Sequence, residues 1–117
     1  MEKNNVLYCP VGRQCEMVEI ENNMGAIQRL VGCDELEIAK PWSQDVGVIV
    51  GTGTNADKRK NRWLYREDGG GACCRVCGAF VVVFMPRNCD VLLPLPPMFA
   101  DRYSKLMELY DEQEGGW

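Results

Sequence analysis

Gly78-Ala79-Phe80-Val81-Val82-Val83-Phe84-Met85 is the stretch on which the fold turns. Its β-branched and aromatic side chains point to both faces of an extended segment, whereas a half-buried strand would alternate with polar residues. The segment is therefore expected at the centre of a sheet with both faces covered. Pro86 ends it, because proline cannot donate to a ladder. On its other side, Gly69-Gly70-Gly71-Ala72-Cys73-Cys74-Arg75-Val76-Cys77 reads as a glycine loop feeding this strand.

Working outward, Asn5 to Cys9 and Cys15 to Glu21 form two short apolar or alternating runs joined by Pro10-Val11-Gly12-Arg13. Proline and glycine there supply turn chemistry, so a β-hairpin is predicted. Met24, Ile27, Leu30 and Val31 recur at helical spacing, with an asparagine (Asn22 or Asn23) placed to cap the start and Gly32 placed for a left-handed end. Leu36 to Lys40 and Val46 to Val50 read as strands, and Trp63-Leu64-Tyr65 as a strand or one helical turn. Pro94-Leu95-Pro96-Pro97 is a stiff connector, after which Phe99, Tyr103, Leu106, Met107 and Tyr110 mark one face of a C-terminal helix. The predicted order is strand, strand, helix, strand, strand, irregular segment, strand, helix. A helix after a hairpin covers one face of a sheet to which later strands add. The expectation is an α+β fold over residues 1–117 as one domain: a single mixed β-sheet with a helix on one face, β-grasp (ubiquitin)-like, plus a C-terminal helix. The alternative is another mixed sheet carrying two helices.

The 117 residues, 46% hydrophobic and 26% charged, suffice for one core without staples. No apolar run reaches the roughly 20 residues of a membrane span, and Met1-Glu2-Lys3-Asn4-Asn5 lacks signal-peptide features. A cytoplasmic location without membrane contact is expected. There the seven cysteines would stay reduced, most of them serving as small buried hydrophobes. The net charge of −4 argues against a surface wholly devoted to nucleic acid. Its distribution is uneven, however. Lys58-Arg59-Lys60-Asn61-Arg62-Trp63 is basic, and Asp111-Glu112-Gln113-Glu114 is acidic.

Chemistry-bearing motifs are few. The chain has no histidine, so a cysteine nucleophile with a histidine base is excluded. Glu35 and Glu37 share one face of a strand, which alternation alone explains. No catalytic residue is assigned, and the chain is read as non-enzymatic. Cys74-x-x-Cys77, with Cys73, is a single knuckle, whereas structural zinc wants four ligands. Cys9 and Cys15 meet across the hairpin turn and would be the second pair. A β-grasp sheet, with first and last strands parallel, holds them roughly 15–20 Å from the Cys73 end at about 3.3 Å per residue, and brings Cys89 near Cys9 and Cys15 instead. No metal or other cofactor is therefore assigned, with Cys73, Cys74 and Cys77 as the weak metal candidates. Gly51-Thr52-Gly53-Thr54-Asn55 leads into the basic cluster and offers backbone N–H groups to phosphate, but without Walker spacing. Lys58, Arg59, Lys60, Asn61, Arg62 and Trp63 are the candidate binding residues for a partner or a phosphate.

The chain also resembles a family catalogued as domain of unknown function 3846, found in phages, plasmids and integrative elements. The residues that carry the resemblance are Val6 to Pro10, Val18 to Asn22, Met24 to Gly32, Glu35 to Ile38, Asn61-Arg62, Gly78 to Val83 and Leu95 to Leu106. Cys33 departs from it where a second glycine is common, and the Cys73 to Cys77 segment is not part of its pattern. The resemblance implies an accessory protein of a mobile element. With no catalytic chemistry and a two-sided charge, the expected function is inhibition of a host defence protein by binding, of anti-CRISPR or other anti-immune type. One alternative is a sponge for a cyclic nucleotide immune signal, held by the Gly51 to Arg62 loop in a pocket between subunits of a homo-oligomer. The other is a nucleic-acid-binding regulator using the basic cluster.

Overall fold

The structure, a computed structural model, describes residues 3–87 and 92–110. Strands β1 (Lys3–Cys9) and β2 (Glu16–Glu21) form the expected hairpin, paired from Lys3↔Glu21 to Tyr8↔Glu16. Helix α1 (Met24–Val31) follows, capped by the Asn23 side chain accepting from the Ala26 N–H at 2.8 Å and closed by Gly32 at φ 77°. Next come β3 (Leu36–Ala39), β4 (Val46–Gly51), β5 (Lys60–Tyr65), β6 (Ala72–Cys77), β7 (Phe80–Phe84), α2 (Pro97–Ser104) and β8 (Met107–Leu109).

The fold is α+β with two antiparallel sheets rather than one mixed sheet. The larger has the order β2-β1-β7-β4-β3, and the smaller β6-β5-β8. Strand β7 is central, as its composition demands. Val81 and Val83 face the α1 side with Val6, Ile27, Val31 and Ile49. Phe80 and Val82 face the other side, packed with Leu7, Cys9 and Val48 against Leu64 and Val76 of the second sheet and Ala100 and Tyr103 of α2. Both faces of β7 are therefore dry.

Two expectations need correction. The first and last strands of the main sheet, expected parallel as in a β-grasp, run antiparallel, with Cys9 opposite Phe80. The physical reason is the segment read as irregular. It is a hairpin, β5–β6, that leaves the sheet at the end of β4 and returns to the same end, where Val50 pairs with Phe80. A hairpin excursion brings the chain back where it left, so β7 must run against β4. Second, the C-terminal helix stops at Ser104, and Met107–Leu109 instead pair with Arg62–Leu64 of β5. The open edge of β5 offers ladder hydrogen bonds, which override a weak helical period. The proline connector packs inward, with Leu95 buried and its N–H donating to the Asn5 carbonyl at 2.9 Å.

Gly78 closes the base of the excursion. Its φ is 74°, its N–H donates to the Arg59 carbonyl at 2.8 Å, and a Cβ would lie 3.0 Å from the Asp57 backbone oxygen. Gly78→Ala should cost more than about 1 kcal/mol, since the left-handed conformation and the close approach both penalise a side chain. A lowered urea midpoint with unchanged slope is the expected reading. An unchanged midpoint would show that the link relaxes freely.

Candidate functional site: the two faces of β5

The six predicted binding residues divide. Lys58, Arg59 and Lys60 are exposed, Asn61 and Arg62 are buried at 0% and 3% exposure, and Trp63 is half-buried. The structure thus does not gather them into one surface. Asn61 Nδ2 donates to the Cys9 carbonyl at 3.1 Å and the Gly78 carbonyl at 2.7 Å. Arg62 Nη1 donates to the Pro10 carbonyl at 2.9 Å and Asn61 Oδ1 at 2.7 Å, and Nη2 donates to the Arg13 carbonyl. These donors fasten the first hairpin turn and the β6–β7 link to β5.

Residue alternation sends the next side chains outward. Trp63 lies opposite Arg75 of β6 and Glu108 of β8. The Arg75 guanidinium carbon is 5.2 Å from the Trp63 ring centroid, and Lys60 Nζ is 5.1 Å from that of Tyr110. Both distances suit cation–π attraction. The Tyr65 hydroxyl donates to Glu108 Oε2 at 2.6 Å, which raises its pKa. Arg59 and Lys60 line a cleft of about 400 Å³ with Val11, Gly12 and Tyr110. Arg59 is held by Asp57 at 2.6 Å, and those hydrogen bonds keep the Asp57 carboxyl below its ordinary pKa. Sequence reasoning missed Arg75 and Tyr110 as members of this face. The signal for Arg75 was the alternation Cys73-Arg75-Cys77, obscured by reading the segment as a loop.

Cys74-x-x-Cys77 lies within a strand, where three residues span roughly 10 Å and end on opposite faces. Cys74 packs on the core while Cys73 is exposed. Burial, with Cys73 beside it, pushes the Cys74 thiol up to about 11. Among the described residues no group of three or more Cys, Asp or Glu could hold a metal. Cys89 and the acidic segment 111–114 lie outside the described residues. The antiparallel β1–β7 pairing overturns the predicted separation: Cys9 lies at the start of β7, near the end of β6. Cys9 and Cys15 do meet, their sulfurs 2.9 Å apart.

The Gly51-Thr52-Gly53 loop borders a different cleft of about 540 Å³, between α1 and the turn after β4. Arg29, Thr52 and Asn55 line it, but so do Asp34 and Glu35. Those two carboxylates oppose a phosphate there. Among the described residues no helix is long and apolar enough to cross a membrane.

The family model described as Domain of unknown function (DUF3846) matches residues 2–108, from the first hairpin through β8. The chain belongs to that family. No curated protein and no solved structure matches the chain. In this member of the family, Asn61 and Arg62 have the inner task of fastening β5 to the main sheet, while Trp63 lies on the outer face.

The inner task is testable by stability. Asn61→Ala strands two buried carbonyls and should cost about 2–5 kcal/mol. Lys58→Glu, on the exposed loop, should stay within about 0.5 kcal/mol. Equal losses in chemical denaturation would place the fastening elsewhere.

Proposed function

We propose that this chain is a non-enzymatic accessory protein of a phage or other mobile element that inhibits a host defence protein by binding it through the outer face of β5–β6–β8. The observation that carries the binding face is the row Arg75–Trp63–Glu108 with Tyr65 beside it. Tryptophan, tyrosine and arginine are the residues that concentrate interface energy, and here they stand on a sheet whose inner face is already used by the core. The defence context comes from the family resemblance, and the absence of histidine is consistent with a binding role. The charge is two-sided. Exposed Glu16, Glu19 and Glu21 follow the β2 edge, while Lys58, Arg59, Lys60 and Arg75 gather at the other sheet. Such an arrangement orients a partner during encounter.

A second reading has its own observation. Cations laid against Trp63 and Tyr110, beside the cleft lined by Arg59 and Lys60, also suit a single nucleic-acid strand, whose bases stack on aromatic rings.

Trp63→Ala combined with Arg75→Glu separates these from a purely structural face. The variant should keep its fold and lose at least tenfold in capture of a host protein in pull-down. If capture is unchanged, the face is not the interface. Binding of single-stranded DNA or RNA that falls steeply with salt would favour the second reading, since released counterions set that slope.

A further inference from the structure

Arg62 poses a problem of charge. Its guanidinium is buried, and its acceptors are two backbone carbonyls and one amide oxygen. Among the described residues no carboxylate forms an ion pair with it. A buried cation without a counter-charge is costly, by several kcal/mol in general. The Arg62 charge acts on the thiols of Cys9 and Cys15, favouring their ionised forms.

Those thiols occupy a place that suits bond formation. The β1–β2 register runs to Tyr8↔Glu16, so Cys9 and Cys15 are the next opposed pair. Directly opposed residues of an antiparallel ladder have Cα atoms about 4.5–5.5 Å apart, inside the range a disulfide accepts. The sulfurs already touch at 2.9 Å, and Met107 Sδ lies 3.9 Å from each. Access is one-sided. Cys9 is fully buried, whereas Cys15 is half-buried and opens on a cleft of about 290 Å³ lined also by Gln14, Arg62, Ser104, Met107 and Leu109.

We propose that Cys9 and Cys15 form a reactive dithiol site, with Cys15 the attacking thiolate and Cys9 the resolving thiol, which is oxidised by a low-molecular-weight disulfide entering the cleft. The Cys15 thiolate attacks one sulfur of the disulfide, breaking its S–S bond and releasing one thiolate. Cys9 then gives up its proton to that released thiolate and attacks the Cys15 sulfur, displacing the second. Two electrons leave the protein, one intramolecular disulfide forms, and the small disulfide departs as a thiol and a thiolate.

The electrostatics agree with these roles. The hydrogen bond with Cys9 lowers the Cys15 thiol to about 7, helped by the Arg62 charge and a backbone N–H. Burial and the neighbouring Cys15 push Cys9 well up. From the other elements facing Cys15, Ser104 of α2 and Met107 and Leu109 of β8 bring no ionising group, and Gln14 of its own turn is neutral. At pH 7 a thiol of pKa about 7 is half ionised, against about 1% for one near 9. Its lower intrinsic nucleophilicity returns most of that factor, leaving exchange about fivefold faster.

The test uses the full chain, reduced and then exposed to glutathione disulfide, quenched in acid, blocked with N-ethylmaleimide and peptide-mapped. The Cys9–Cys15 disulfide should appear about fivefold faster than adducts at Cys73 or Cys77. Cys9→Ser should instead accumulate a glutathione mixed disulfide on Cys15, while Cys15→Ser abolishes both. The rate of Cys15 alkylation by iodoacetamide should rise with a midpoint near pH 7. A midpoint near 9, adducts appearing first at Cys73, or an unmodified Cys15 in Cys9→Ser would overturn the assignment.

Discussion

Four backbone carbonyls create the constraint from which the rest of this structure follows. Cys9, Pro10 and Arg13 lie at the end of β1 and in the turn to β2, and Gly78 lies where the chain re-enters the main sheet after β6. Their carbonyls point into the protein, and buried carbonyls must find donors. Asn61 and Arg62 supply them from β5, a strand of the other sheet. The second sheet is thus required by the ends of the first. Apolar contact between Leu64, Val76 and the central strand then adds the burial that makes the two layers one core.

Much of the fold could be read because local signals agreed with the final environment. The hairpin had its proline and glycine turn, α1 had both caps, and β7 announced its central place through valines on both faces. What failed were readings that depended on nonlocal pairing. Residues 72–77 sit on an edge of a three-stranded sheet, so their alternation mixes cysteine, arginine and valine with no clear apolar face. Without that hairpin in view, the direction of β7 relative to β1 came out reversed. Leu106, Met107 and Tyr110 likewise fit a helical period by spacing, yet the backbone of Met107–Leu109 is claimed by β5.

The candidate site was legible in position but not in orientation. The basic segment from Lys58 to Trp63 stands out in the sequence, yet charge alone does not tell a solvated lysine from a buried arginine. Arg62 differs from Arg59 only in having a strand period beneath it and unpaired carbonyls within reach. The pairing of Cys9 with Cys15 followed directly from the hairpin, since opposed rungs follow from counting. Their chemical inequality did not, because it comes from a cleft that opens only on Cys15 and from a cation delivered by a distant strand.

Arg62 and Trp63 are adjacent, so the pleat places a buried cation and a half-buried, outward-facing aromatic ring back to back. Any change in the charge balance around Arg62 is felt by the backbone it holds, including the turn that carries Cys15. Conversion of a Cys15 thiolate to a neutral disulfide would remove the nearest counter-charge while tying that turn to β1. The consequence is local, because β5 is paired on one side with β6 and on the other with β8, while the turn that carries Cys15 is held by side-chain donors. A buried arginine lacking a carboxylate therefore acts in two ways at once: its hydrogen bonds hold the turn that carries Cys15, and its charge favours the Cys15 thiolate over the thiol.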